Sequence, residues 1–394
     1  MALPTLDDLE VEDKKVLVRV DINSPLDPET LDILDTSRIR RVLPTLQELL
    51  DRNCAVVVLA HQGRPGDWDF MGLEPHARAL SHHLGVEVDY VDDVWGEKAQ
   101  RAVGEARPGQ VLLLGNVRGF EGERDTKSPE EHARSALVQA LAPLVDVYVN
   151  DAFAAAHRAH CSLVGFIPVL PSCAGRLLER EVSTLTTILE RPARPNLFVF
   201  GGAKYGTALK VTAHLLETGA ADAVLLGGVP GSVFAFPHLA EGEERAAVRH
   251  LLHTHGNRLM LPADVAIDDG GRREVSVDDL DAGQAGRIRD IGAAAIEDFS
   301  TAIGEAGSVL MSGPLGVFEE ENFARGTREV MQAIARSRAF SVLGGGHTVA
   351  AAQAFGVADE VSYVSTGGGS LERFLMGQRL PVIAALEDYG GRKH

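Results

Sequence analysis

Ser341-Val-Leu-Gly-Gly-Gly-His-Thr348 joins a short apolar run to a helix-like segment, residues 348–355. A strand, a glycine turn and a helix start are typical of a phosphate site, because glycine lets the backbone approach an anion and the first N–H groups of the helix point at it. A tight turn without a ligand has the same pattern, so both interpretations stay open for this stretch alone. His347 is compatible with a hydrogen-bond donor, a poor metal ligand or neither.

The composition is that of a globular protein with an acidic surface. The 394 residues include 38 Lys+Arg and 56 Asp+Glu, a formal net charge of −18, and 45% are hydrophobic. This length is typical of two domains. The negative charge argues against general nucleic-acid binding, which requires a basic surface. Any site for a small anion must therefore concentrate its basic residues locally.

Targeting and cysteine patterns favour a cytoplasmic protein. Cys54, Cys161 and Cys173 are far apart and lack metal-ligand spacing, which indicates free or buried thiols in a reducing cytosol. The first residues have neither a basic start nor a long apolar run, so we expect no signal peptide. No apolar run approaches the roughly 18 residues of a membrane span, and we expect no membrane partner.

Apolar runs alternate with amphipathic segments in the first half, which predicts an α/β protein with a parallel sheet. Predicted strands are 16–20, 55–60, 111–114 and 145–149, and predicted helices are 37–52, 75–84, 97–103 and 130–144. Ser37 is the predicted N-cap of its helix. Pro44 predicts a kink or a later start of that helix.

The alternation restarts after Arg191-Pro-Ala-Arg-Pro195, where we place the domain junction. A predicted helix, 173–189, precedes this break. Predicted strands of the second half are 197–200, 223–226, 309–311 and 361–365, with helices ending near 218 and at 293–304. The polar stretch 268–290 is predicted to be a loop.

Polar and basic side chains follow the strands of the first half, namely Asp21, Asn23, His61, Arg64, Arg118, Asn150 and Arg158. Open α/β sheets bind ligands at the carboxyl ends of their strands. Arginine or histidine after three of these four strands predicts an anion pocket, because guanidinium groups bind carboxylate and phosphate bidentately. The second half ends its strands in glycine, which suits a nucleotide that needs backbone access.

Several familiar sites are missing from the sequence. There is no Gly-x-x-x-x-Gly-Lys-Ser/Thr, and no Gly-x-Gly-x-x-Gly follows the first strand, which disfavours a dinucleotide-dependent dehydrogenase. The histidines at 82, 83, 250, 253 and 255 do not form a zinc pattern and are interpreted as solvated. One anion-binding half and one glycine-lined half fit a two-substrate phosphotransferase that closes to exclude water.

Eight motifs occur in order at 18–25, 37–40, 61–65, 148–160, 201–204, 313–319, 344–346 and 364–369. Because of these motifs, the chain resembles the phosphoglycerate kinase family along nearly its whole length. The resemblance implies two Rossmann-like parallel-sheet domains: an acid-substrate domain (1–172), a linking hinge helix (173–190), a nucleotide-binding domain (191–370) and a C-terminal segment (371–394) returning to the first domain. It implies phosphoryl transfer between ATP and the carboxylate of 3-phosphoglycerate, and we expect a monomer.

The resemblance also assigns site residues by position. The implied acid pocket contains Asp21, Asn23, Arg38, His61, Arg64, Arg118 and Arg158. The implied catalytic pair is Arg38, which neutralises charge on the moving phosphoryl group, and Lys204, which orients it. The implied nucleotide side contains Gly202, Ala203, Lys204, Gly227, Gly228, Pro314, Gly316, Val317, Glu319 at the ribose, Gly345, Gly346, His347 and Thr348.

The sequence departs from the family pattern near the implied site of transfer. Ala208 stands where a second lysine is usual, with Lys210 two residues further on, and His347 replaces an aspartate associated with Mg²⁺. Mg²⁺ prefers oxygen ligands, so the metal ligand is left open. Ser312, Val229 and Gly119 replace the usual Asn, Gly and Phe. Either Lys210 and another carboxylate substitute, or the donor side has been rebuilt.

Three functions stay open on this basis. The leading one is the family's reaction between ATP and 3-phosphoglycerate. A divergent paralogue would phosphorylate another small carboxylate or phosphonate, or use an altered donor. A catalytically weak member would bind phosphoglycerate or nucleotide as a sensor.

Overall fold

Two compact units make up the part of the chain that the computed structural model describes, residues 3–280 and 283–390. The first comprises the chain as far as Val182 together with the segment from Arg379, and the second comprises Ser183–Gln378. The predicted α/β class is confirmed, because each unit contains a six-stranded parallel sheet flanked by helices. No described helix is long and apolar enough to cross a membrane.

The sheet of the first unit has a fully buried centre. Its strands are β1 (Lys15–Val20), β2 (Ala55–Ala60), β3 (Val88–Val91), β4 (Val111–Asn116), β5 (Val147–Asp151) and β6 (Ser172–Ala174), in the parallel order β3-β4-β2-β1-β5-β6. The helices are α1 (Ser37–Asp51), α2 (Glu74–Leu84), α3 (Glu97–Glu105), α4 (Pro129–His132), α5 (Ala136–Leu141) and α6 (Cys161–Val164). Helix α7 (Arg176–Glu190) begins in the first unit, and its residues from Ser183 onward belong to the second. Every residue of β2 is buried, which explains its continuous apolar sequence.

The second unit repeats this design and adds a small antiparallel sheet. Its strands are β7 (Asn196–Phe200), β8 (Ala223–Leu226), β9 (Leu259–Met260), β10 (Asp264–Asp268), β11 (Arg272–Ser276), β12 (Ile288–Ile291), β13 (Ser308–Ser312), β14 (Phe340–Gly344) and β15 (Tyr363–Val364). The large sheet has the order β15-β14-β13-β7-β8-β9, and the small one β11-β10-β12. The helices are α8 (Tyr205–Glu217), α9 (Gly228–Ala235), α10 (Gly242–His255), α11 (Ala293–Gly304), α12 (Arg325–Arg336), α13 (Gly346–Ala354) and α14 (Gly369–Leu375). The last helix, α15 (Pro381–Tyr389), belongs to the first unit, where Val382 N donates to Ala156 O at 3.3 Å.

The start of α1 differs from the prediction. The helix begins at Ser37 and continues through Pro44, so a later start is wrong. The N-cap is Thr36 rather than Ser37, and the backbone N–H of Ser37 is satisfied by Asp35 Oδ1 at 2.8 Å. Apolar residues along α1 pack into the core of the first unit, which outweighs the one backbone hydrogen bond that proline cannot make.

Two predicted helices are also wrong in extent. The stretch 130–144 divides into α4, α5 and a 3₁₀ turn, because Ser135 caps α5 by accepting a hydrogen bond from Val138 N. The predicted helix 173–189 begins too early, since Cys173 lies in β6 and α7 starts at Arg176. The three cysteines are buried free thiols.

The stretch 268–290, predicted to be a loop, contains β11 and most of β12; residues 281 and 282 lie outside the described residues. Strands β10 and β11 form a hairpin across Asp269-Gly270-Gly271. Both glycines have positive φ, 76° and 151°, which this turn requires. Asp-Gly-Gly between strands is a hairpin signal that the sequence contains.

Strand register places the carboxyl ends of the parallel strands at one edge of each large sheet. In the first unit, Val20 pairs with Asp151 and Ala60 pairs with Asn116. In the second unit, Ser312 pairs with both Phe200 and Gly344. The basic segments of the first unit and the glycine segments of the second therefore each leave their sheet at a common level.

Candidate functional site

A cluster of cations surrounds Asp21 at the carboxyl edge of the first sheet. Asp21 is 8% exposed, and its Oδ1 accepts hydrogen bonds from Arg38 Nη1 and Asn23 N, both at 3.1 Å. Burial alone would raise the pKa of Asp21, but nearby positive charge, that of Arg38 and Arg19 included, lowers it to about 2. Asp21 is therefore ionised and holds Arg38 in place.

His61 is buried beside this pair. Its Nδ1 lies 3.1 Å from Arg19 Nη2. A guanidinium group can only donate, so His61 Nδ1 accepts and the ring proton is on Nε2. Burial lowers the pKa of His61 well below its usual value, and repulsion from Arg19, Arg118 and Arg38 acts in the same direction. His61 is thus a neutral hydrogen-bond donor.

Further basic groups lie within electrostatic reach of one another. Burial lowers the pKa of Arg118 to about 10, with repulsion from Arg19, Arg158 and Arg64 contributing. Burial also lowers the pKa of His160 to about 3, again with Arg158 and Arg19 nearby. Arg64 is exposed and Arg158 is half-buried. Like charges that lower one another's pKa in this way create a strong positive potential, which favours binding of an anion.

Amide and guanidinium groups anchor the loop that follows β2. Asn23 Oδ1 accepts from Gly63 N at 2.8 Å, and Arg118 Nη1 donates to Gly63 O. Asn150, in contrast, is fully buried and donates to Tyr148 Oη at 2.9 Å and Leu163 O at 3.0 Å. Asn150 therefore supports the core, whereas the structure brings the seven predicted acid-pocket residues to one edge of the unit.

A glycine-walled cavity lies at the carboxyl edge of the second large sheet. Its lining includes Phe200, Gly201, Gly202, Ala203, Lys204, Thr207, Ala208, Val211, Ser312, Gly313, Pro314, Gly345, Gly346, His347, Thr348, Gly368, Gly369, Glu372 and Leu375. Thr348 Oγ1 accepts from Gly313 N at 2.7 Å, which ties the two turns together. Gly345 has φ +91°, a conformation that favours glycine, and α13 begins directly after it. The first N–H groups of α13 thus start at the cavity wall, as an anion site requires.

Helix α8 turns one face to this cavity. Lys204, Thr207, Ala208 and Val211 all line it, at the i, i+3, i+4, i+7 spacing of one helical face. Lys210 is exposed and does not line it. Lys210 therefore does not replace the lysine that is usual at the position of Ala208.

Eight of the thirteen predicted nucleotide residues line the cavity, and five do not: Gly227, Gly228, Gly316, Val317 and Glu319. Gly228 N donates to Leu315 O at 3.0 Å, and Val317 N donates to Arg289 O at 2.8 Å. A Cβ on Gly316 would lie 2.3 Å from Asp290 Oδ1, which explains the glycine there. Glu319 is exposed.

A metal ion has few protein ligands to use. Among the described residues, no group of three or more His, Cys, Asp or Glu side chains could hold one. Glu372 is the one carboxylate among the described residues that line the cavity, and His347 is the other titratable candidate ligand. Mg²⁺ commonly takes one or two carboxylates and completes its shell with substrate phosphates and water. This donor set fits Mg²⁺ carried by a nucleotide.

No role was predicted for Arg19, Glu123, Ser162 or Glu372. Arg19 is 1% exposed inside β1, and Glu123 is equally buried in a loop. A charged side chain in an otherwise apolar strand is rarely buried without a partner, and this was the available signal for Arg19. The sequence around Glu123 and Glu372 contains no pattern that predicts a role for either residue.

Comparisons with known proteins agree along nearly the whole chain. The family model described as phosphoglycerate kinase matches residues 6–378. A phosphoglycerate kinase of Methanopyrus kandleri is 44% identical, covering 98% of this chain and 97% of its own, and one of Methanothermus fervidus is 40% identical with the same coverage. The crystal structure of phosphoglycerate kinase from Pyrococcus horikoshii superposes with a TM-score of 0.89 at 36% identity, covering 98% of both chains. The enzyme from Coxiella burnetii gives 0.84 at 33% identity, covering 98% of this chain and 99% of its own.

Proposed function

The chain belongs to the phosphoglycerate kinase family, and we propose that its first unit binds 3-phosphoglycerate and its second unit binds the nucleotide. The reaction is the transfer of a phosphoryl group between ATP and the carboxylate of 3-phosphoglycerate, which yields ADP and 1,3-bisphosphoglycerate. Similarity over the full length does not favour a paralogue with another acid or a sensor.

The cation cluster of the first unit is the observation that carries the proposal. A substrate with a carboxylate at one end and a phosphate at the other matches several guanidinium groups gathered on one sheet edge of a protein with a net charge of −18. The neutral His61 adds a donor without adding to the repulsion among the cations. Asp21 holds Arg38, whose side chain is 40% exposed, at the edge of the cluster.

The transfer itself requires positioned positive charge and little covalent participation by the protein. A carboxylate oxygen of the acid attacks the terminal phosphorus of ATP, the bond to the leaving ADP oxygen breaks, and an acyl phosphate forms. We assign Arg38 and Lys204 to the charge that spreads over the transferred group. The turns at 201–204, 313–314 and 345–348 would hold the nucleotide phosphates through backbone N–H groups.

The division of the two substrates predicts a split in binding constants. Arg158→Ala should raise the Kd for 3-phosphoglycerate about tenfold, since it removes one charge from the cluster, and should leave the Kd for ADP within about twofold. Isothermal titration of each ligand measures both constants. A weakened ADP affinity with unchanged acid affinity would show that the two units are assigned the wrong way round.

For Mg²⁺ we propose Glu372, rather than His347, as the protein partner of the metal. The ion would arrive with the nucleotide and neutralise phosphate charge. The gain in ADP affinity on adding Mg²⁺ should shrink about tenfold in Glu372→Gln and stay unchanged in His347→Ala. Titrations of ADP with and without Mg²⁺ measure that gain. A loss confined to the His347 variant would identify the imidazole as the ligand.

The cytoplasmic location and the monomeric state expected from the sequence stay predictions.

A further inference from the structure

Three buried polar residues lie in a line behind His61. Arg19 Nε donates to Ser162 Oγ at 2.8 Å, and Ser162 Oγ lies 2.6 Å from Glu123 Oε1. Arg19 Nη2 reaches His61 Nδ1 at the other end of the line. Arg19 and Glu123 are each 1% exposed, and Ser162 is fully buried. The line connects three segments that are far apart in sequence.

The direction of each hydrogen bond follows from the chemistry of its groups. The guanidinium group of Arg19 can only donate, so Ser162 Oγ accepts from it. The hydroxyl proton of Ser162 is therefore free to go to Glu123 Oε1. Glu123 Oε2 accepts a second bond from Ser162 N at 2.8 Å. Both carboxylate oxygens of Glu123 thus fix the same serine.

Fixing Ser162 fixes the plane of the Arg19 guanidinium group. Its remaining nitrogens then point at Val20 O and at His61 Nδ1. Because Arg19 presents a donor to Nδ1, the ring proton of His61 must be on Nε2. A guanidinium group that turned away would leave His61 free to place its proton on either nitrogen.

Other titratable groups lie near these residues, but none of them takes over the hydrogen bonds of Arg19, Ser162 or Glu123. His160 Nδ1 lies 3.9 Å from Glu123 Oε1, and burial keeps the pKa of His160 low, so that ring is neutral. Burial raises the pKa of Glu123, while Arg19 and the two bonds from Ser162 oppose the rise. The charges of Asp21, Arg38 and Arg118 also act on the ring of His61.

We propose that Glu123, acting through Ser162 and Arg19, is a positioning residue that keeps His61 in its Nε2–H form as a donor to the acid substrate. The inference rests on the proposed function, in which His61 belongs to the acid pocket. The position of the proton on His61 is then determined by Glu123, a carboxylate that does not itself contact the substrate.

Glu123→Gln is the direct test. Glutamine keeps the shape of the side chain but has a single acceptor oxygen, so one of the two bonds to Ser162 must be lost. The matched control is Asp151→Asn. Asp151 is a fully buried carboxylate of the same unit that accepts from Thr45 Oγ1 at 2.6 Å and Leu178 N at 3.0 Å, outside the cation cluster.

Two measurements separate positioning from general stability. The ¹⁵N spectrum of histidine-labelled protein should give His61 as the Nε2–H tautomer in wild type and as a tautomer mixture in Glu123→Gln. The chain has 14 histidines, so the His61 signals are assigned by their absence in His61→Gln. The Kd for 3-phosphoglycerate should rise about tenfold in Glu123→Gln and less than about twofold in Asp151→Asn, with the ADP affinity unchanged in both.

A second pair of variants leaves Glu123, Ser162 and Arg19 unchanged and replaces His61. The amide of glutamine reaches the level of Nε2 and can replace the donor, whereas the amide of asparagine reaches only Nδ1. His61→Gln should therefore bind the acid at least about fivefold more tightly than His61→Asn. If Glu123→Gln does not fold, this comparison still tests whether the donor to the acid lies at the Nε2 position, which the inference requires.

Each outcome has a defined meaning. An Nδ1–H tautomer in wild type, an unchanged tautomer and affinity in Glu123→Gln, or tighter acid binding by His61→Asn would each overturn the inference. The tautomer is measured without ligand. If wild type does not bind 3-phosphoglycerate at all, the proposed function fails while the tautomer still tests the positioning role.

Discussion

Lys204→Met is expected to lower kcat by about two to three orders of magnitude, the cost that follows loss of one donor in a preorganised site. Lys204 is the one lysine among the described residues that line the glycine-walled cavity, and Ala208 occupies the next turn of the same helical face. The lysine within α8, Lys210, does not line the cavity, so we expect it not to share the charge of the transferred phosphoryl group. Steady-state assays with both substrates saturating measure the effect.

Lys210→Met is the matched control for this prediction. Lys210 lies on the same helix, is exposed and does not line the cavity, so its loss should change kcat by less than about twofold. Methionine keeps the length of the aliphatic chain in both variants. A large loss in Lys210→Met with little loss in Lys204→Met would mean that α8 turns its other face to the substrate.

The glycine turns could be predicted because the residues that form each turn are consecutive in the sequence. A strand, a glycine with positive φ and a helix start occur in this order at 341–348 as predicted, although α13 begins at Gly346, two residues earlier than the predicted 348. The hairpin at 269–271 had the same kind of local signal. The division of 130–144 was harder to foresee, because it depends on Ser135 capping a short helix instead of continuing a long one.

The buried line behind His61 could not be predicted from spacing. Arg19 and Ser162 are 143 residues apart, and Ser162 and Glu123 are 39 apart. Only the packing of β1, α6 and the loop containing Glu123 brings them together. The side chains proposed to touch the substrate follow the ends of strands, which is a pattern in the sequence. A residue that acts through them needs only to lie beside them in the folded chain, and no sequence pattern marks it.

Arg38→Ala is expected to lower kcat/KM for 3-phosphoglycerate by about ten-thousandfold, about ten times more than loss of one donor alone would cost. The added loss comes from Asp21. With Arg38 removed, Asp21 loses its 3.1 Å ion-pair partner and remains a buried carboxylate beside the anion site. The negative charge of Asp21 is then less compensated, and we expect it to repel both the acid substrate and the incoming phosphoryl group.

The double variant Arg38→Ala/Asp21→Asn tests that explanation, because asparagine removes the repulsion and keeps the side-chain shape. It should recover about tenfold of the lost kcat/KM, although Asp21→Asn alone lowers activity by releasing Arg38. Arg40→Ala, an exposed arginine two residues further along α1, is the control and should stay within about twofold of wild type. A double variant no better than Arg38→Ala would mean that Asp21 carries no such penalty. The role of Asp21 would then be limited to holding the guanidinium group.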